Sequence, residues 1–319
     1  MNMRNTMKLV FLDTKTVGDV PNMELLAQFG TLSLYPTTTR EQAWERIKDA
    51  DIVITNKVVL DDGLIGRAAR LKLICVAATG TNNIDRAAAE ARGIPVKNVA
   101  DYSSNSVAQG TFALLLHLLN RIPYYDGYVK SGAYAENDIF THLGKPFWEL
   151  GGKRFGIIGL GHIGRQVARI AGAFGAEVVY YSTSGRNNDQ VYPQLVLEDL
   201  LHTSDVVSIH APLNAHTENL INYGRLCLMK KNAILLNVGR GGIVNEEDLA
   251  RALDEERIGG AGIDVFQQEP ISPGHPFLHM ANRERLVLTP HSIWASIEAR
   301  TLLIARVAKN IGEFLYDQK

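Results

Sequence analysis

Residues 153–182, KRFGIIGLGHIGRQVARIAGAFGAEVVYYS, decide the fold. Phe155 to Ile158 make an apolar run short enough for a buried strand. Gly159-Leu160-Gly161-His162-Ile163-Gly164 comes next, and Val167, Ile170, Ala171 and Phe174 then recur at helical spacing. A second buried run, Glu177 to Tyr181, closes the stretch at about the thirty residues a strand–helix–strand unit needs. Each glycine has a physical task. Gly159 makes the tight turn, Gly161 lets the backbone approach a pyrophosphate, and Gly164 lets helix pack on strand. The following helix points its free N–H groups and positive dipole end at that phosphate. A bare GxGxxG is weak evidence, but between two apolar strands it predicts a dinucleotide site.

Composition bounds the rest. The chain has 319 residues, and single cores stop growing near ~250–300 residues, so two domains are expected. Hydrophobic content of 46% and charged content of 21% fit a soluble globular protein with a large core. A net charge of −1 gives no reason to expect nucleic acid or an anionic membrane as partner. Cys75 and Cys227 both sit in apolar runs and read as buried, reduced thiols, which fits a cytoplasmic setting. No run reaches the ~18–20 apolar residues of a membrane span. The short apolar run after the N-terminus reads as a first strand, not a secretory signal.

Along the first hundred residues, apolar runs at 7–12, 32–35, 52–55, 73–77 and from Pro95 alternate with helical patterns at 23–30, 41–48, 62–69 and 86–92. Such alternation implies a parallel sheet and one small α/β unit. Residues 103–120 form a long apolar helix, expected to lie buried between two units. From Arg121 to Leu150 the pattern breaks up around Pro123, Gly127, Gly132, Gly144 and Pro146, among the aromatics Tyr124, Tyr125, Tyr128, Tyr134, Phe140 and Phe147. This loop-rich apolar arm is a candidate subunit contact, which implies a homodimer. Further strands are expected at 206–209, 233–238, 260–265 and 286–288, with Asn245 capping a helix over 246–254 and a last helix over 296–316.

In a doubly wound sheet, ligands bind beyond the carboxyl ends of the strands. The polar residues collect at those ends: Ser182, His210, Arg240, Asp264 and His291. Arg240, Glu269 and His291 are the ones fit for acid–base work on a small anion.

The chain resembles the D-isomer-specific 2-hydroxyacid dehydrogenase family along nearly its whole length. The matching stretches are ATGTNNID (78–85), SVAQGTFALLL (106–116), GIIGLGHIG (156–164), SIHAPLN (208–214), NVGRGGIVNEEDL (237–249), AGIDVFQQEP (261–270) and TPHSIWAS (289–296). TGTNNID, YYSTSG and Trp294 after the histidine are most similar to the glycerate dehydrogenase/hydroxypyruvate reductase branch. The resemblance implies an α/β enzyme of two doubly wound parallel-sheet domains. A flavodoxin-like substrate-binding domain comprises 1–101 and 293–319, and a Rossmann-like NAD(P)-binding domain, 102–292, is inserted into it. A cleft is expected between them.

The resemblance further implies a reversible hydride transfer between nicotinamide C4 and substrate C2, with no metal. Arg240 would hold the substrate carboxylate and keto oxygen with its planar fork of donors. His291 would be the acid–base group, and Glu269 would hydrogen-bond that imidazole and favour its protonated form. Lys57, Trp294 and the backbone of Ala78, Thr79 and Gly80 would complete the substrate site, the last three as an anion nest. On the cofactor side the family pattern implies Thr79, Gly159, Gly161, His162, Ile163, Gly164, Ser182, His210, Ala211, Pro212, Thr217, Val238, Gly239, Arg240, Asp264 and His291.

One position departs from that pattern. The ribose-binding acid is expected ~20 residues past the glycine loop, and Ser182 stands there. Serine does not repel a 2′-phosphate as aspartate would, and Arg186 could hold one, so NAD and NADP both stay open. Expected substrates are hydroxypyruvate or glyoxylate, giving D-glycerate or glycolate. Phosphoglycerate dehydrogenase lacking a regulatory domain is a second reading, and an NAD-sensing corepressor-like binding protein a third. Formate dehydrogenase is disfavoured, because its family pattern has glutamine where Glu269 stands.

Overall fold

A computed structural model of the chain describes residues 7–186, 189 and 191–317. Residues 1–6 and 318–319, which fall within the expected first domain, lie outside the described residues. The chain packs as two compact units. One comprises the described residues up to Ser103 together with those from Ala295 onward; the other is Ser104–Trp294.

The first unit is a five-stranded parallel sheet. Its elements are β1 (Met7–Phe11), β2 (Gly30–Leu34), α1 (Arg40–Ile47), β3 (Ile52–Thr55), α2 (Asp62–Arg67), β4 (Leu73–Val76), α3 (Arg86–Ala91) and β5 (Val96–Asn98). The strand order is β2-β1-β3-β4-β5, the flavodoxin-like order. IVIT and LICV are buried at every position, as central strands covered on both faces must be. Helices α1, α2 and α3 start on side-chain caps: Thr39 in a reciprocal box with Gln42, Asp61 accepting from the Leu64 N–H, and Asp85 from that of Ala88. The segment expected as a helix over 23–30 is instead a tight 3-10 turn, Met23–Phe29. Only Leu26 is buried there, so no apolar face selects the 3.6-residue period.

The second unit contains α4 (Ser104–Leu119), α5 (Ile122–Lys130), β6 (Arg154–Ile158), α6 (His162–Ala173), β7 (Glu177–Tyr181), α7 (Leu197–Thr203), β8 (Val206–Ile209), α8 (Tyr223–Leu226), β9 (Ile234–Asn237), α9 (Glu246–Asp254), β10 (Gly260–Ile263) and β11 (Leu286–Leu288). Its six parallel strands run β11-β10-β9-β8-β6-β7. Strand order reverses across β6 and β8, the switch point at which a doubly wound sheet opens its ligand crevice. Both faces are covered. Leu114, Leu115, Leu118, Val167 and Ala171 pack with Phe155 and Tyr180 on one side; Leu200, Leu249 and Leu253 pack with Ile209 and Leu235 on the other. Helix α4 belongs to this unit, resting on α6 and on β9 to β11. Gly262 in β10 makes room for it, since a Cβ there would come within 3.0 Å of the Leu114 Cβ.

Three expectations are corrected or sharpened here. The arm after α4 is not all loop: α5 occupies 122–130 and a 3-10 turn Ala133–Glu136. Pro123 does not prevent this, because it lies in the first turn where a missing N–H costs nothing. Cys75 is buried, and burial pushes its thiol up to about 12, but Cys227 is exposed. It caps the C-terminal end of the one-turn helix α8, so its side chain falls outside the apolar layer. Finally, α10 (Ile297–Asp317) returns the chain to the first unit and packs on β4 and the 23–29 turn. Among the described residues no helix is long and apolar enough to cross a membrane.

Candidate active site

The glycine turn sits at the switch point. Gly159 leaves β6 at φ +92, a conformation that favours glycine, and its Cα packs on the next loop: a Cβ would lie 2.9 Å from Ala211 N. Gly164 brings α6 against the same turn, with a Cβ position only 2.3 Å from Gly159 O. Gly161 differs from both. It is the N-cap of α6, and a Cβ built on it meets nothing within 4 Å. The space in front of the helix end is therefore open, and His162 and Ile163 form the first turn behind it.

The end of β7 offers a second sign of fit. Ser182 is 6% exposed, and its buried Oγ has no hydrogen-bond partner among the described residues. A buried hydroxyl without a partner is costly, and a ligand hydroxyl or phosphate oxygen would satisfy it. At the end of β8, His210 Nε2 lies 2.8 Å from Ser208 Oγ, and its Nδ1 is likewise buried without a partner. Burial pushes this imidazole down to about 3, so it is neutral at pH 7. Thr217 is fully buried, and its hydroxyl donates to Pro212 O and accepts from Asn214 N, which fixes the loop after Ala211. Val238 is buried in the layer beneath.

The ends of β9, β10 and β11 carry the remaining groups. Gly239 presses on the Ala211 carbonyl, and exposed Arg240 donates from Nη1 to Gly239 O at 2.7 Å. Asn237 spans this turn, donating to Arg240 O and accepting from Gly239 N. Gly241 seats the turn against the next loop: a Cβ there would be 1.9 Å from Phe266 O. Three residues on, Glu269 Oε1 accepts from Phe266 N at 3.0 Å and Oε2 lies 2.7 Å from His291 Nδ1. His291 holds φ +52, and its own N–H donates to the carbonyls of Asp264 and Thr289. Asp264, 1% exposed, accepts from Thr289 Oγ1 at 2.6 Å and Ser292 N at 2.9 Å. Burial raises its carboxyl above the usual range, opposed by those bonds and by the nearby His291.

The second unit therefore brings Glu269 and His291 into direct contact and places Arg240 on the turn packed against the Glu269 loop. Trp294 closes the unit, packed on the layer of α4 and α6. Lys57, Ala78, Thr79 and Gly80 lie in the first unit at the ends of β3 and β4. Lys57 is exposed, and Thr79 is tied to β5 through Val99 O and Asn98. Sequence patterns do not mark one further residue. Asp13, buried at the end of β1, accepts from the backbone N–H groups of Asn56, Lys57 and Val58. It is a carboxylate beyond a strand end, the same signal that marked Ser182 and His210.

Comparison with known proteins agrees with this geometry. Residues 112–292 match the model of the D-isomer specific 2-hydroxyacid dehydrogenase NAD binding domain. Glycerate dehydrogenase of Methylorubrum extorquens is 37% identical over 97% of this chain and 96% of its own. Hydroxypyruvate reductase of Blautia hydrogenotrophica is 34% identical over 97% of each. Among solved structures, an NADPH-dependent glyoxylate/hydroxypyruvate reductase of Sinorhizobium meliloti in complex with NADP and malonate superposes with a TM-score of 0.80 at 25% identity, over 97% of this chain and 94% of that one. With its glycine turn at the switch point and its histidine–glutamate pair on the same sheet, the chain belongs to the D-isomer specific 2-hydroxyacid dehydrogenase family, and is an oxidoreductase using NAD or NADP.

Proposed function

We propose that the protein reduces hydroxypyruvate or glyoxylate to D-glycerate or glycolate, and catalyses the reverse, with Arg240, Glu269 and His291 as its catalytic residues. The observation that carries this reading is the 2.7 Å contact of His291 Nδ1 with Glu269, on a sheet whose switch point holds the glycine turn. The names of the relatives support the substrate class.

The nicotinamide coenzyme, when bound, supplies or takes up the hydride at substrate C2. The open space at Gly161, the orphaned Ser182 hydroxyl and the β8 loop from His210 to Pro212 would hold it. His162, Ile163, Gly164, Thr217, Val238, Gly239, Asp264 and Thr79 would line or support the same site. Arg240 binds the carboxylate and keto oxygen, because its fork can donate to both. In the imidazolium that reduction requires, Nδ1–H donates to Glu269 and Nε2–H is left as the donor toward substrate. In reduction, Nε2 gives its proton to the oxygen on C2 as negative charge develops there; in oxidation it takes that proton back. Lys57, Trp294 and the backbone of Ala78, Thr79 and Gly80 complete the substrate grip, and Asp13 holds the Lys57 loop in place.

The described residues from 1–101 and 293–319 form the substrate-binding part in this reading, and 102–292 the coenzyme-binding part. The enzyme acts as a cytoplasmic homodimer. Phe140 is 90% and Leu143 81% exposed on the arm between α5 and β6, an apolar surface that a second copy would cover. One panel tests the activity: NADH and NADPH, each with hydroxypyruvate, glyoxylate, pyruvate and phosphohydroxypyruvate. Hydroxypyruvate and glyoxylate should give the highest kcat/KM; preference for phosphohydroxypyruvate, or no turnover with any, would overturn the reading.

A further inference from the structure

A second histidine–carboxylate pair lies next to the first. Glu246, in the first turn of α9, sends its two oxygens to two places on the loop that carries Glu269. Oε1 accepts from Gln267 N at 2.7 Å, and Oε2 lies 2.8 Å from His275 Nε2. Both side chains are largely buried, 13% and 7% exposed. The tautomer of His275 is set from its other side, because Nδ1 accepts from Phe277 N at 3.3 Å, so Nε2 carries the proton and donates to Glu246. Its ring meets Phe266 edge-on at 5.8 Å. Phe266 and Gln267 are adjacent. The N–H of the first holds Glu269 and the N–H of the second holds Glu246.

We infer that Glu246 and His275 are positioning residues that staple the 267–275 loop on either side of Glu269 and so fix the carboxylate that orients His291. This rests on the acid–base reading of Glu269 and His291 given above. Stability is a poor reason for such a pair. The cost of burying the Glu246 carboxylate offsets most of what its hydrogen bonds return, and well-packed apolar side chains often do as well. Location is the better reason. The staple ends lie at residues 267 and 275, the loop between them has no strand or helix to stiffen it, and Glu269 sits within that span. A displacement of Glu269 by about 1 Å would release the imidazole from its productive orientation, which can cost about a hundredfold in rate.

The test is a double-mutant cycle on the full chain, with hydroxypyruvate and the preferred coenzyme, read as the single-turnover rate so that product release does not mask chemistry. Glu246→Ala should lower that rate about ten- to a hundredfold, with coenzyme Kd and substrate KM within about twofold of wild type, since neither side chain touches the reacting groups. In a Glu269→Gln background the same change should cost less than about threefold, because no carboxylate is left to misplace. His275→Ala, which cuts one arm of the staple and spares the other, serves if Glu246→Ala folds poorly. It should give an intermediate loss, and His275→Gln, which keeps an N–H donor, should restore most of the rate. Equal losses from Glu246→Ala in both backgrounds would mark a merely structural role and overturn the inference, as would a wild-type rate. If Glu269→Gln itself leaves the rate unchanged, the acid–base reading fails and this inference with it.

Discussion

Gly161 and Gly164, both coenzyme-loop glycines by sequence, should fail in different ways when substituted. At Gly164 an added Cβ would sit 2.3 Å from a backbone oxygen, where ordinary contact begins near 3.4 Å. About 1 Å of movement is then forced on α6 or on the turn, and overpacking of this kind costs about 1–3 kcal/mol. A 2.3 Å approach to backbone belongs in the upper part of that range, about 2–3 kcal/mol, and alanine's preference for helix over glycine returns about 1 kcal/mol, so Gly164→Ala should lose roughly 1–2 kcal/mol net. For a domain this size that lowers Tm by about 2–8 °C. Gly161 has extended backbone that any residue adopts, and its Cβ position is empty. Serine there is also a favoured N-cap, so Gly161→Ser should leave Tm unchanged within about 1 °C. Its hydroxyl would nonetheless occupy the approach to the helix end and take N–H donors from a pyrophosphate. Losing one or two charge-assisted bonds of about 1.5 kcal/mol each should weaken coenzyme binding about ten- to a hundredfold. Thermal melts and fluorescence titration with NADH and NADPH read the two effects separately. A Gly161→Ser protein that melts and binds coenzyme like wild type would refute the placement of the pyrophosphate over this glycine.

Three further outcomes follow from the same geometry. His291→Ala should reduce kcat for hydroxypyruvate by about 10²–10⁴, with coenzyme Kd changed less than about threefold in a direct titration; near-wild-type turnover would remove His291 from the chemistry. Burial holds His210 at about 3 in the fold, against ~6.5 when unfolded. The unfolded chain therefore binds the extra proton first, and stability is lost as pH falls from ~6.5 toward 3, at up to about 1.4 kcal/mol per pH unit. His210→Gln should flatten that stretch of the Tm–pH curve, and an unchanged slope would show that the imidazole is already protonated in the fold. Ser182→Asp should raise the Kd for NADPH far more than for NADH, since a carboxylate there repels a 2′-phosphate and accepts from a 2′-hydroxyl; equal effects on both would show that the end of β7 does not read the ribose.

Legibility of the fold followed how local each signal was. The glycine turn, the Asn245 cap and the central strands are written in contiguous residues, and the structure shows all three where the pattern set them. The order of the strands was not local, and it entered only through family resemblance. Where local signals conflict, the pattern misleads. Pro123 and Gly127 argue for loop where α5 forms, because a proline in a first turn cannot be told from a helix breaker until the start of the helix is known. The apolar neighbours of Cys227 argued for burial, but a one-turn helix has no settled face. The site divides in the same way. Arg240, Glu269 and His291 stand in motifs after strand ends, which made them visible one by one. Asp13, Glu246 and His275 escaped because they act through backbone N–H groups and through each other. A carboxylate that anchors a distant loop leaves no spacing in the sequence, since its partners are peptide groups that every residue carries. The residues proposed to meet substrate are therefore legible from their side chains, while those proposed to hold them in place show only in the fold.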